Sequence, residues 1–331
     1  MAGNNKRKVK VSVDADLMPI VEALNEFIEE KTALNKSAST IRNYQQSVEF
    51  FIDFHGFDDE TPLSVVEPSH FFKWANTLKL DGVKPSSINH YLRDCRAFFY
   101  WCMDNAYIEN RFQIKMIEVQ EEAIKLYSEE EIDILLEKPH KPTKTNDYFV
   151  EWRTWAVVNW VLGTGNRAGT VVDVRIGDID FSKKEVILRH TKNKKAQTIP
   201  LSSSLETAIK EYIRYFRRGV DDEAYLFPNV GEEKLTTNAL RLAYTRYCKD
   251  RDISHYNIHG LRHSFAKMWI RNNGDTFRLQ KLLGHSDLSM TRRYVKLFNE
   301  DLKDDFDKFN PLDSIKRKTS RRKAVKANAD D

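Results

Sequence analysis

Apolar residues at Leu17, Ile20, Val21, Leu24, Phe27 and Ile28 recur at the spacing of a helix that buries one face. Ser39 and Thr40 then open a segment with Ile41, Tyr44, Val48, Phe51, Ile52 and Phe54 on a compatible period. It closes at Gly56, where a residue without Cβ suits a helix stop. Residues 68–80 and 85–103 repeat the pattern, the second through Ile88, Tyr91, Leu92, Cys95, Phe98, Phe99 and Cys102. Residues 16–106 therefore read as an all-helical domain of about four helices.

The period fades over 107–127, a linker, and returns where Ser128 precedes Glu131 by three residues. In that arrangement a hydroxyl and a carboxylate satisfy orphan helix amides reciprocally, so a second domain is predicted over 128–310. It reads as helical through Leu162, breaks at Gly163-Thr164-Gly165, resumes at Arg167, and then changes character. Residues 185–189 and 197–201 are short and β-branched around a Lys-Asn-Lys-Lys turn, which predicts a hairpin, with 178–181 as a third strand. From 204 to 309 the pattern is helical again. The fold expected is mainly α with a small antiparallel β-sheet, an all-helical N-terminal domain followed by an α+β domain.

Length allows two domains, and 41% hydrophobic residues with 11% aromatics fit a globular chain. The formal charge of +4 says little about partners until its location is considered. Lys6, Arg7, Lys8 and Lys10 lead the chain, and seven basic residues with no acid lie between Lys316 and Lys326. Without residues 314–331, which carry seven basic and two acidic groups, the remainder is about neutral. Residues 1–15 and 311–331 thus read as basic ends, either solvated and disordered or serving as arms on a nucleic-acid backbone. Cys95, Cys102 and Cys248 read as buried thiols in a reducing compartment. No run of 18 apolar residues and no signal peptide is found, so a cytoplasmic protein without a membrane partner is expected.

The densest chemical pattern is His259-Gly-Leu-Arg262-His263, then Leu283-Gly284-His285, then Tyr294. His259 and Arg262, three apart on a helix, project from nearly one face. Metal-free cleavage of a phosphodiester needs a nucleophile, cationic donors on the non-bridging oxygens, and a proton for the leaving oxygen. Arginine meets phosphate oxygens with a planar fork, histidine exchanges protons near neutrality, and a phenol becomes a nucleophile only beside such cations.

Order and spacing of these residues closely resemble the tyrosine recombinases, the phage-integrase family that includes Xer-like resolvases and mobile-element integrases. The family's Thr-Gly-x-Arg turn is matched by Thr164-Gly165-Asn166-Arg167, and its hairpin lysine by Lys192 in register with Ile199-Pro200-Leu201. The His-x-x-Arg-His box is His259 to His263, the Leu-Gly-His box is Leu283 to His285, and the tyrosine nine residues later is Tyr294. The resemblance implies a catalytic domain behind a helical core-site DNA-binding domain. It implies attack by Tyr294 to give a 3′-phosphotyrosine, with Arg167, Arg262 and His285 on the phosphate, Lys192 protonating the 5′ oxygen, and His259 as acid or base beside the tyrosine. Neither metal nor cofactor is implied. The partners implied are double-stranded DNA recombination sites, a homotetramer on two of them, and accessory DNA-bending proteins, in a bacterial or phage host cell. Lys36, Arg42, Lys84, Arg93 and Arg96 are candidate DNA contacts, with a solvated surface as their alternative. The segment 298–309, with Leu302, Phe306 and Phe309 on one face, matches the family's C-terminal helix, which docks on a neighbouring protomer. No separate arm-binding domain is expected ahead of the first helix. The chain departs from the family at Thr170, where an acidic residue is usual, and Lys194 and Lys195 share the turn of Lys192.

Other readings stay open at this level. Taken singly, each arginine, histidine or tyrosine reads as a surface or core residue. His259 and His263 have the spacing of a zinc helix, but Gly260 stands where such a site needs glutamate. Residues 279–293 fit a helix-turn-helix of a non-catalytic DNA-binding regulator, which leaves Arg167, Lys192 and Tyr294 without roles. A type IB topoisomerase shares the phosphotyrosine chemistry.

Overall fold

A computed structural model describes residues 18–119, 126–140, 146–189 and 196–284. The chain divides into two compact units, Met1–Glu122 and Ala123–Asp331.

The described part of the first unit is built on the helices α1 (Ile20–Ala33), α2 (Ala38–His55), α3 (Pro68–Leu80) and α4 (Pro85–Asp104). Local chemistry sets the boundaries. The Ser37 hydroxyl accepts from the Thr40 amide and starts α2, and Gly56, at φ 67°, ends it in the left-handed conformation. Proline opens both α3 and α4, where its missing N–H costs nothing. The apolar faces close on Phe27, Phe51, Trp74, Phe98 and Phe99, with Cys95 and Cys102 buried among them. The ring of Phe51 stacks on Phe71 and meets Trp74 and Phe99 edge-on. Offset and T-shaped pairs of this kind add to what burial alone contributes.

The second unit begins with the reciprocal cap anticipated above, as the Ser128 hydroxyl accepts from the Glu131 amide while the Glu131 carboxylate accepts from the Ser128 amide. Helices α5 (Glu129–Leu136), α6 (Asn146–Thr164) and the short α7 (Ala168–Val171) precede an antiparallel sheet of β1 (Ile179–Asp180), β2 (Glu185–Leu188) and β3 (Gln197–Pro200). The register pairs Val186 with Ile199 and Leu188 with Gln197, so Val186, Leu188 and Ile199 turn into the core and Ile187 faces out. Helices α8 (Ser203–Tyr212), α9 (Thr237–Lys249), α10 (Ile258–Arg271) and α11 (Thr276–Leu283) follow. Helix α6 is buried on several sides, with Trp152, Val157, Trp160 and Val161 in the core, because α5, α8, α9 and α10 pack around it. All three cysteines are free and buried.

Two expectations are corrected here. The second helical stretch is interrupted: a π-helical turn at Ile213–Arg217 is followed by an irregular segment up to α9. That segment supplies carbonyls to buried cations, Tyr225 to Arg217 and Pro228 to Arg153, which regular helix could not do. And α6 runs on through Thr164, so the break comes at Gly165, leaving Arg167 as the residue that caps α7 rather than one inside a helix.

Candidate active site

Gly165 adopts φ 67°, and a Cβ there would lie 2.5 Å from the Phe265 ring and 2.7 Å from Leu283. Glycine is thus required twice, for a left-handed turn and for the approach of α10 and α11 to that turn. Around it Thr164 donates to the Trp160 carbonyl, the Asn166 amide donates to the Thr164 hydroxyl, and Trp160 Nε1 donates to Asn166 Oδ1. These bonds fix the backbone from which Arg167 projects.

Arg262 lies on α10 and is 4% exposed. Its Nη1 donates to the Gly165 carbonyl at 2.7 Å and its Nη2 to the Leu283 carbonyl at 2.8 Å. Arg167 Nη1 donates to the same Leu283 carbonyl at 3.3 Å. Two guanidinium groups from segments 95 residues apart in sequence therefore meet on one oxygen. That oxygen belongs to the last residue of α11, where carbonyls lack partners within the helix and the helix dipole is negative. Gly284, at φ 60°, ends α11 in the left-handed conformation and leads directly to His285.

Near the start of α10 the Asn257 side chain caps the helix, accepting from the His259 amide at 3.0 Å. Tyr127 OH donates to the Asn257 carbonyl and accepts from its amide, at 3.1 and 2.9 Å, and the Tyr127 amide donates to the Ser264 hydroxyl. Burial is the chief reason that the Tyr127 phenol is pushed up to about 12, so it stays protonated in this double role. His259 is exposed. Partial desolvation, then the charges of Arg262 and Arg167, hold its pKa below the ordinary value, which places all three groups in one electrostatic neighbourhood.

Of the six residues that the sequence pointed to, the structure brings together Arg167, His259 and Arg262. Lys192, His285 and Tyr294 lie outside the described residues, as do Lys194, Lys195, the amphipathic segment 298–309 and both basic ends. The helix-turn-helix reading is described only up to Gly284. Thr170 sits on α7, its amide accepted by the Arg167 carbonyl. His263 meets His259 edge-on at 6.2 Å, and no group of three metal-ligating side chains occurs among the described residues. Lys36, Arg42, Lys84, Arg93 and Arg96 are all exposed, with the Arg96 guanidinium over the Tyr100 ring. Sequence reasoning missed Tyr127, Asn257 and Gln197, which brace the site. Only Asn257, a capping residue two positions before His259, left a local signal.

A family model described as the phage integrase family matches residues 125–301, and one for the phage integrase N-terminal SAM-like domain matches residues 24–105. The chain belongs to the phage integrase family. It is thus a tyrosine recombinase, an enzyme that cleaves and rejoins DNA strands. Among relatives, the chain is 28% identical over 297 residues to tyrosine recombinase XerA of Pyrococcus furiosus, covering 89% of this chain and 96% of that one. Tyrosine recombinase XerC of Oceanobacillus iheyensis is 25% identical over 285 residues, 84% and 92% of the two chains. The fold is shared with a Tn1549 transposon integrase solved with circular intermediate DNA, at TM-score 0.66 and 20% identity over 84% of this chain and 95% of that one. A lambda integrase dimer bound to a COC′ core site gives TM-score 0.65 and 16% identity over 82% and 97%. Among the described residues no helix is long and apolar enough to cross a membrane.

Proposed function

We propose that this protein recombines DNA at specific sites through a 3′-phosphotyrosyl intermediate formed on Tyr294, and that it integrates or excises a mobile element. The observation that carries this reading is the meeting of Arg167 and Arg262 on the Leu283 carbonyl, two residues before His285. A buried, doubly anchored guanidinium is preorganised, so its remaining electrostatic reach is aimed before substrate arrives and no reorganisation is needed in the transition state.

In the proposed step the Tyr294 phenolate oxygen attacks the scissile phosphorus and the bond from phosphorus to the 5′ oxygen breaks. Arg167, Arg262 and His285 hold the non-bridging oxygens. Lys192 gives a proton to the departing 5′ oxygen, and His259 takes the proton that Tyr294 loses. A histidine with a lowered pKa is neutral at physiological pH and therefore able to accept it. Ligation runs the step backwards with a 5′-hydroxyl from another strand, and the phosphotyrosine link conserves the bond, so the step requires no metal or nucleotide.

The helical unit supplies the core-site contacts in this reading, with Lys36, Arg42, Lys84, Arg93 and Arg96 on the DNA backbone, and the second unit supplies the chemistry. The assembly proposed is a homotetramer on two duplex sites, aided by DNA-bending proteins, in the cytoplasm of the host cell. The test is incubation with supercoiled DNA carrying the flanks of its own gene, in EDTA, with a denaturing quench. The wild type leaves protein on DNA 3′ ends and Tyr294→Phe does not; an adduct-free wild type that still binds this DNA would favour the non-catalytic regulator.

A further inference from the structure

Tyr127, which clamps Asn257 at the start of α10, is itself held by a ring that the proposed chemistry does not use. The His255 imidazole lies flat on the Tyr127 phenol, with ring centroids 4.5 Å apart and an interplanar angle of 17°. Tyr244 meets the same phenol edge-on at 6.5 Å. His255 belongs to the segment between α9 and α10, two residues before the Asn257 that caps α10.

The face of this imidazole, rather than its nitrogens, places it. Its Nδ1 is 3.5 Å from Glu131 Oε1, at the outer limit of hydrogen-bond reach, while Oε2 of that carboxylate accepts from the Ser128 amide at 2.8 Å. Its Nε2 is buried with no hydrogen-bond partner among the described residues. A buried nitrogen left unpaired costs stability, and a stacked ring pair offsets that cost with contact beyond simple burial. The stack matters to α10 because the Tyr127 hydroxyl serves the carbonyl and the amide of Asn257 at once. Both bonds form only while the phenol keeps one tilt. The Asn257 side chain then accepts from the His259 amide at 3.0 Å, which fixes the first turn of the helix.

We propose that His255 is a positioning residue for cleavage: stacked on Tyr127, it sets the start of α10 and thereby the placement of the His259 imidazole relative to Arg262. The inference rests on the role proposed above for His259 as proton acceptor. Its consequence is specific: His255 acts on the rate of the chemical step and not on DNA binding.

The experiment measures two things in the full-length protein, at a temperature where every variant is folded. One is single-turnover cleavage of saturating DNA that carries the flanks of its own gene. The other is the NMR titration of the His259 imidazole, assigned by its loss in His259→Gln. His255→Ala, which removes the stacked ring, slows cleavage about tenfold at unchanged DNA affinity and moves the His259 midpoint up toward the ordinary 6.5 as the imidazole leaves the two arginines. His255→Phe, which keeps a flat ring without the nitrogens, restores both the rate and the midpoint. The inference is overturned if the His259 midpoint in His255→Ala equals that of the wild type, or if His255→Phe behaves like His255→Ala. The midpoint reports where His259 sits whatever its chemical role, so the two readings fail separately. If the midpoint moves in His255→Ala and returns in His255→Phe while cleavage is unchanged, the positioning stands and the proton-acceptor role of His259 falls.

Discussion

Gly165 shows how one residue type serves both the backbone and the site. Its φ of 67° admits an L side chain only with strain, and its Cα faces Phe265 and Leu283 at distances where no Cβ fits. Gly165→Ala should therefore destabilise the second unit by about 2–4 kcal/mol through strain and overpacking. Thermal unfolding would show a lowering of several degrees, and a variant that melts with the wild type would contradict the packing described. His259 allows a prediction in pH. Because its folded-state pKa lies below 6.5, the unfolded chain takes up the proton first as pH falls. The residue thus lowers stability progressively from about pH 6.5 down to its own lower pKa, and adds no further loss below it. His259→Gln should flatten the acid side of the stability curve in that window, and the wild-type imidazole should titrate by NMR with a midpoint below 6.5. A midpoint above that value would remove Arg167 and Arg262 from its surroundings.

Helix α10 carries both His259 and Arg262, so whatever fixes its start fixes the site. That start is held by Tyr127, which clamps both backbone groups of Asn257 from a position 130 residues away. Tyr127→Phe leaves the Asn257 amide without this partner and its carbonyl with the Gly260 amide alone, and a loss of about 1 kcal/mol is expected, with a cleavage rate that falls by more than this instability explains. Equal cleavage by wild type and variant at a temperature where both are folded would show that the clamp is irrelevant to the site. Contacts of this range explain what was and was not legible in the sequence. The four helices of the first unit, the cap at Ser128 and Glu131, and the short strands within 185–189 and 197–201 follow from local period and composition, and all were readable. Arg167, His259 and Arg262 were readable as a spaced pattern, whereas the carbonyl on which the two arginines meet was not. Neither was the irregular segment before α9, because its conformation is set by the buried Arg153 and Arg217 rather than by its own residues. Gln197 looked like an ordinary strand residue until its partner on α11 was known.

At the scale of the molecule, positive charge is concentrated in the two end segments: residues 1–15 and 311–331 together carry a net charge of +7, while residues 16–310 carry −3. DNA affinity in such a protein comes from local groups of cations on each unit, and it falls as salt rises because counterions are released. In the proposed mechanism, chemistry depends on a few preorganised side chains in the second unit, with Arg262 buried among carbonyls and Arg167 beside it. Both units match models of one family, the first through its N-terminal SAM-like domain and the second through its catalytic region. The central claim is that Tyr294 carries the DNA strand while Arg167 and Arg262 stabilise the charge. The most direct measurement is protease digestion of the adduct trapped from wild-type protein and DNA, followed by mass spectrometry of the nucleotide-bearing peptide. The account predicts a 3′-linked nucleotide on Tyr294; a nucleotide on any other residue, or a 5′ linkage, would contradict it.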